Sequence, residues 1–149
     1  MTFETTRDRF RITTDVEQLD LDAIHAYLTR SYWAAGIPRD VVAKAVAGSL
    51  CFGLFEEDRQ IGLARVVTDR ATYMYLCDVY VLEEWRGRGL GIWLIEVVMA
   101  HPDLQGLRRF GLVTFDAHGL YERYGFRAVE HPARHMEIVR SPYPKADPH

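Results

Sequence analysis

The chain has 149 residues, a formal net charge of −3 and a pI near 6.1. This length predicts one domain, and the mildly acidic balance argues against a nucleic-acid-binding protein, which usually carries a basic face. No apolar run is long enough to cross a bilayer and no secretory signal precedes the first charged residues, so we expect a cytoplasmic protein without membrane contact.

Hydrophobic spacing and turn residues predict strands and helices in the following chain order. Asp20 is expected to cap the first helix, and Pro38 suits the first turn of the second. Strands are expected at 10–13, 50–55, 60–67, 73–82, 110–115 and 134–139, and the later helices at 90–100 and 118–124. The order indicates an α+β, or mixed α/β, fold in one domain over residues 1–140. Three prolines in residues 141–149 predict a tail without regular structure.

A glycine-rich turn separates the strand at 73–82 from the helix at 90–100. It reads Arg86, Gly87, Arg88, Gly89, Leu90, Gly91. Glycines let backbone N–H groups approach a ligand closely, and the new helix adds its unpaired N–H groups and the positive end of its dipole. The two arginines can add charge. The turn therefore predicts an anionic ligand that carries a pyrophosphate.

Two common phosphate motifs do not fit this turn. The dinucleotide fingerprint needs its first glycine where Arg86 stands. The P-loop needs Gly-Lys-Ser/Thr, whereas Gly91 is followed by Ile92.

The turn resembles the coenzyme A loop of the GNAT acyltransferase family, whose pattern is Arg/Gln-x-x-Gly-x-Gly/Ala. Arg86, Gly89 and Gly91 fill its three fixed positions. A second segment, 120–126, reads Leu-Tyr-Glu-Arg-Tyr-Gly-Phe and is similar to the family's Leu-Tyr-Glu-Lys-x-Gly-Phe. The chain is thereby identified as resembling a small bacterial-type GNAT protein. The resemblance implies a mostly antiparallel, twisted sheet flanked by helices and splayed at its central strand, with acetyl-CoA as the acetyl donor.

The resemblance also implies which residues contact coenzyme A. Backbone groups on the central strand would bind the pantetheine arm, and Thr114 stands where many relatives have a pantetheine-binding asparagine. Tyr121 would be the general acid that protonates the departing thiolate, and the alternative is that it only packs on Phe126. The implied contacts are Val79, Tyr80, Val81, Arg86, Gly87, Arg88, Gly89, Leu90, Gly91, Ile92, Thr114 and Tyr121.

The chain departs from the family pattern at the positions where some relatives carry the general base. Relatives with a glutamate or histidine on the central strand carry it at positions matching Tyr75 or Cys77, and neither residue is an effective base at neutral pH without a shifted pKa. Strand alternation is expected to point Asp78 to the opposite face. His118 lies one helical turn before Tyr121 and is a second catalytic candidate, while a water chain remains an alternative.

The acceptor site is expected on the connection between the first two helices. By analogy with the family, the aromatic residues of this connection would border the acceptor, together with two residues of the central strand. The alternative is that the aromatic residues of the connection hold the helix against the sheet. The candidates are Tyr32, Trp33, Tyr75 and Cys77.

Two classes of function are compatible with these residues. The first is acetyl transfer to a primary amine by direct attack in a ternary complex, with a small molecule, a protein N-terminus or a lysine as acceptor. The second is a non-catalytic acyl-CoA-binding or sensing domain. No metal site and no nucleic-acid partner are predicted, and association into a homodimer is left open.

Overall fold

One six-stranded sheet organises the chain, in the spatial order β1-β2-β3-β4-β5-β6. The computed structural model describes residues 2–140 and Tyr143. Its strands are β1 (Glu4–Arg7), β2 (Phe10–Thr13), β3 (Leu50–Glu56), β4 (Arg59–Thr68), β5 (Tyr73–Val81) and β6 (Arg109–Leu112). Its helices are α1 (Leu21–Leu28), α2 (Arg39–Ala47), α3 (Leu90–Ala100) and α4 (His118–Glu122).

The sheet is mostly antiparallel. Neighbours from β1 to β5 pair antiparallel, and only β5 and β6 run parallel, because α3 crosses over between them. The predicted mixed fold is therefore confirmed.

Apolar clusters lie on both faces of the sheet. On one face α3 packs over strand residues such as Phe52 and Leu76, and Tyr121 of α4 joins that cluster. On the other face α1 and α2 pack over Cys51, Leu63 and Tyr80. Because β5 and β6 run parallel, their C-terminal ends lie at the same edge of the sheet, and α3 and α4 follow from that edge.

Local turn chemistry explains the helix boundaries. Asp20 caps α1, since its Oδ1 accepts a hydrogen bond from the Ala23 N–H at 3.0 Å. Pro38 directly precedes α2, and α3 has the predicted bounds. Gly125 follows α4 with φ of 95°, a conformation that favours glycine.

Several sequence-based expectations require correction. β1 was not predicted because its residues are mostly exposed and show no apolar alternation. β6 ends at Leu112, three residues before the expected end, and α4 ends at Glu122. No strand forms at 134–139: Arg134 ends a short 3₁₀ turn and the following residues are exposed. The segment has the alternation of a strand, but it pairs with no strand among the described residues.

The predicted C-terminal tail lies outside the described residues, except for Tyr143. That side chain packs against the α1–α2 face of the sheet. Over the part of the chain that the structure describes, the helices are all too short or too polar to cross a bilayer.

Candidate active site

The glycine-rich turn forms an open cradle at the start of α3. Gly87 and Gly89 have φ values of 79° and 78°, which L side chains rarely adopt, and Gly89 is the residue that precedes the helix. The first backbone hydrogen bond of α3 joins the Trp93 N–H to the Gly89 carbonyl at 3.1 Å. The N–H groups of residues 87–92 have no acceptor among the described residues. They are available to a phosphate at the positive end of the helix dipole.

The two arginines of the turn have different contacts. The half-exposed Arg86 side chain lies against the protein surface, where its Nε donates to the Val81 carbonyl at 2.9 Å and its Nη2 to the Tyr27 hydroxyl at 2.9 Å. Arg88 is exposed and makes no hydrogen bond or ion pair with a described residue. Arg88 is thus placed to reach a bound phosphate, and Arg86 also holds the turn against β5 and α1.

The sheet opens between β5 and β6. Parallel pairing begins at Tyr73 and Arg109 and ends at Leu76 and Leu112, so β5 from residue 77 onward has no strand on its β6 side. The backbone at 79–81 therefore faces a gap into which an extended ligand could insert as an added strand. One group in the gap is already used, because the Val81 carbonyl accepts from Arg86.

A β-bulge at the opening reorients Asp78. β4 advances two residues from Leu63 to Arg65 while β5 advances three between their partners Tyr80 and Cys77. Asp78 has φ of 49°. The expectation that Asp78 points to the face opposite Cys77 is wrong, because the extra residue breaks the alternation and both residues lie beside Arg65.

The Asp78 carboxylate joins β4 to the α1–α2 connection. Its Oδ2 accepts from Arg65 Nε and its Oδ1 from Trp33 Nε1, both at 2.8 Å. The ion pair is largely buried, with 10% of the Asp78 side chain and 19% of the Arg65 side chain exposed. Arg65 also donates to the Ser49 hydroxyl at 3.0 Å. Asp78 is therefore a largely buried carboxylate that links Trp33 of the α1–α2 connection to Arg65 of β4.

The variant Asp78→Ala should lose about 3 kcal/mol of unfolding free energy, since it leaves the buried Arg65 charge without its counter-ion. Asp78→Asn is the control, because an amide oxygen can still accept from Trp33, and it should lose less. Denaturant unfolding monitored by circular dichroism measures both values. An alanine variant as stable as the parent would show that the ion pair contributes nothing.

Tyr121 lies on α4 beside the opening of the sheet. Its ring packs edge-to-face on Phe126 with centroids 5.9 Å apart, and only 8% of the residue is exposed. Burial, and secondarily the proximity of Tyr32, raises the pKa of its hydroxyl. The hydroxyl therefore stays protonated at neutral pH, and no described residue forms a hydrogen bond with it. These properties suit a proton donor.

Thr114 and His118 flank the start of α4. The Thr114 hydroxyl accepts from the Ala117 N–H at 3.0 Å, so it caps this turn while its own proton remains free to donate. His118 is exposed at the first helical position and contacts no described polar group. Its role as a base stays a prediction.

Aromatic residues border the acceptor side of the cleft. Trp33 is held over β5 by Asp78 and is 41% exposed, while Tyr32 is 73% exposed. Tyr32 packs on Trp33 with centroids 5.1 Å apart and faces Phe115 at 6.3 Å across the gap between the α1–α2 and β6–α4 connections. Trp33 therefore both holds its loop to the sheet and presents a ring face to the cleft.

The two acceptor candidates on β5 are partly buried. Burial raises the pKa of Cys77 to about 11, and burial also raises the pKa of Tyr75. Both shifts favour the protonated forms. Neither side chain can therefore act as the base at neutral pH, although both can line the site.

Sequence reasoning missed Asp78 and Tyr27 as site residues. A single carboxylate inside an apolar strand was the available signal, because such a group needs a buried partner. Tyr27 stacks on Tyr80 with centroids 3.8 Å apart and orients Arg86. Its position on the apolar face of α1 indicated only core packing.

Comparisons with known proteins agree with this geometry. A family model described as an acetyltransferase (GNAT) domain matches residues 47–128. A protein of Gibberella zeae assigned as an acetyltransferase is 36% identical in a match that covers 78% of this chain and 77% of that protein. The chain belongs to the GNAT acetyltransferase family.

Solved structures are similar over nearly the whole chain. One from Xanthomonas campestris pv. campestris, assigned to the GNAT acetyltransferases, is 51% identical with a TM-score of 0.87, covering 90% of this chain and 96% of that one. A second, from Clostridium acetobutylicum and solved with acetyl-CoA, is 14% identical with a TM-score of 0.64, covering 92% and 96%. The second likeness is one of fold.

Proposed function

We propose that the protein is an acetyl-CoA-dependent N-acetyltransferase that moves an acetyl group to the primary amine of a small molecule. The observation that carries the proposal is the open turn at residues 87–92, whose backbone N–H groups have no acceptor among the described residues. The gap beside β5 and the hydroxyl of Tyr121 supply the other parts of the cleft. One end of the cleft thus offers donors for a pyrophosphate, and the other offers a proton donor. Membership of the family supports acetyl transfer.

Each part of the cleft has a separate role in this proposal. The cradle and Arg88 bind the pyrophosphate, and a backbone N–H at Val79 polarises the thioester carbonyl. The Tyr121 hydroxyl donates a proton to the departing thiolate. The amine proton leaves through His118 or through water, because Cys77 and Tyr75 hold their own protons too tightly.

Asp78 is a further candidate for handling the amine proton. It lies next to Val79, but both of its oxygens already accept hydrogen bonds from Trp33 and Arg65. We assign it to positioning Trp33.

The acceptor side can attract a cationic amine, because Trp33 and Tyr32 present partly exposed ring faces there. A protein N-terminus or lysine is the alternative acceptor. We place the reaction in the cytoplasm, since Cys51 and Cys77 are free thiols, as expected in a reducing compartment.

The test is to incubate the purified protein with acetyl-CoA and a broad panel of small amines and peptides while measuring release of free thiol. Amine-dependent release with an N-acetylated product is the expected result. Reactions without amine measure background hydrolysis. Tight acetyl-CoA binding without turnover on any acceptor would instead favour the acyl-CoA-sensing function.

The variant Trp33→Ala should raise the KM for the amine about tenfold while leaving acetyl-CoA affinity nearly unchanged, because the ring borders only the acceptor end. Trp33→Phe is the matched control: it retains a ring face but removes the N–H that Asp78 accepts. Steady-state kinetics and calorimetry give the two values. Equal losses for amine and acetyl-CoA, or a change in thermal stability alone, would contradict this placement.

A further inference from the structure

A cavity of about 580 Å³ lies at the end of the sheet opposite the glycine-rich turn, where β2 and β4 end and β3 begins. We call it the far cavity. β5 starts at this end and runs for nine residues toward the turn. At about 3.3 Å per residue, the two ends of β5 are about 26 Å apart. The far cavity is therefore separate from the cleft of the proposed acetyl transfer, and its volume is that of a small-molecule site.

Apolar side chains form much of the wall of the far cavity. Leu19 precedes α1, Val46 lies in the last turn of α2, and Leu50 begins β3. These three are buried, whereas Val16 beside them is 57% exposed. An apolar group of a ligand can therefore leave water by packing against this wall.

His101 is the buried titratable side chain of the far cavity. It is 5% exposed, and its ring packs edge-on against Phe3 and Phe52 with centroids 5.8 Å and 5.5 Å apart. Its Nδ1 accepts from the Asp103 N–H at 3.1 Å, and burial lowers its pKa, so the ring is neutral with its proton on Nε2. Nε2 has no acceptor among the described residues and is not sealed from solvent. It is a donor that a ligand can use.

A cation and an anion lie beside His101. Arg70 follows β4 and pairs with Asp103, and their side chains are 48% and 46% exposed. The contact joins Nη1 of Arg70 to Oδ2 of Asp103. Within the described chain, the other guanidinium nitrogens of Arg70 and Oδ1 of Asp103 make no side-chain hydrogen bond. Since His101 is neutral, the three groups together carry no net charge.

We propose that the far cavity binds a free amino acid with an apolar side chain. The ligand carboxylate accepts hydrogen bonds from Arg70 and from Nε2 of His101, and the ligand ammonium donates to Asp103. The ligand side chain packs against Val46 and Leu50. A carboxylate without the ammonium would face Asp103 uncompensated, and an amine without the carboxylate would face Arg70 in the same way. A zwitterion matches both charges.

The first test is thermal unfolding of the parent protein with L-valine, L-leucine, L-isoleucine, L-methionine or L-phenylalanine. Acetyl-CoA is left out, so that no acetylation occurs. At least one amino acid should raise the unfolding midpoint in a concentration-dependent manner. Calorimetry should then show that its analogues without the ammonium or without the carboxylate bind at least about tenfold more weakly. For leucine these are isocaproate and isoamylamine. No shift with any of the five, or equal binding of either analogue, would overturn the proposal.

The second test places the bound amino acid. Arg70→Ala changes a half-exposed side chain, so the fold should be retained while affinity falls at least about tenfold. Arg39→Ala is the matched control, because it removes another exposed ion pair, with Asp22, and should leave affinity unchanged. His101→Phe keeps the ring packing without the donor and should lose affinity like Arg70→Ala. Parental affinity in Arg70→Ala would contradict the assignment.

Nuclear magnetic resonance of the parent protein gives the location without any variant. Addition of the amino acid should shift the amide signals of residues 101–103 and leave those of residues 32–33 in place. The reverse pattern would mean that the amino acid binds in the acceptor cleft, and it would overturn the far cavity as its site. Because acetyl-CoA is absent, these results do not depend on whether the protein transfers acetyl groups.

Discussion

The variant Gly89→Asp should bind coenzyme A at least about 100-fold more weakly than the parent. Gly89 directly precedes α3, where the unpaired N–H groups of residues 87–92 converge. A carboxylate there would lie within a few ångströms of the pyrophosphate. Two unit charges 4 Å apart near a protein surface repel by about 4 kcal/mol, and each 1.4 kcal/mol is a tenfold change in affinity.

The fold of this variant should be retained. A Cβ at Gly89 would meet no atom within 4 Å, and although φ is 78°, aspartate is among the residues that tolerate this region. Gly89→Asn is the matched control, because it has nearly the same shape and backbone preference without the charge. Calorimetric titration with coenzyme A, alongside circular dichroism, should show a much smaller loss for Gly89→Asn. Unchanged affinity in a folded Gly89→Asp variant would refute the assignment of the loop.

The glycine-rich turn before α3 could be predicted from sequence because its conformation depends on residues that are close in the chain. Glycines at 87 and 89 suit the positive φ values of the turn, and the helix that follows has a continuous apolar pattern. Both features depend on neighbours within a few residues. The predicted and observed bounds of α3 therefore coincide, and the family resemblance at Arg86, Gly89 and Gly91 is confirmed by the family match.

The acceptor half of the site depends on contacts between distant parts of the chain. The position of Asp78 follows from one extra residue in β5 opposite β4, and the alternation rule fails wherever such a bulge occurs. Its partners Trp33 and Arg65 lie 45 and 13 residues away in sequence. Nothing in the spacing of β5 alone indicates the bulge, so the alternation rule predicted the wrong face for Asp78.

The edges of the sheet were the least predictable part of the fold. β1 is polar because it is an edge strand with little to bury, and a polar tetrapeptide carries no strand signal. The segment at 134–139 carries a clear strand signal but pairs with no strand within the described chain. A strand pattern indicates a face that needs burial, and it does not indicate where along the sheet a partner strand lies.

The variant Tyr121→Phe should lower turnover by about 10²–10⁴-fold while changing acetyl-CoA affinity only a few-fold. Loss of a proton donor acts chiefly in the transition state, and general acid catalysis typically supplies that range. Phenylalanine preserves the ring contact with Phe126, and no described residue hydrogen-bonds the lost hydroxyl. Stability should therefore change little, and the variant isolates the proton donor from the packing role.

Tyr124→Phe is the matched control in the same segment. Its hydroxyl donates to the Ile92 carbonyl at 3.2 Å, so its loss should cost some stability and little turnover. The measurement is turnover at saturating substrates, with pre-steady-state kinetics to establish that the chemical step is rate-limiting. The defect of Tyr121→Phe should also shrink with an acetyl thioester whose leaving thiol is more acidic, because that thiolate needs less protonation. If Tyr121→Phe keeps parental turnover under these conditions, Tyr121 serves only in packing, and the proton for the leaving thiolate comes from solvent.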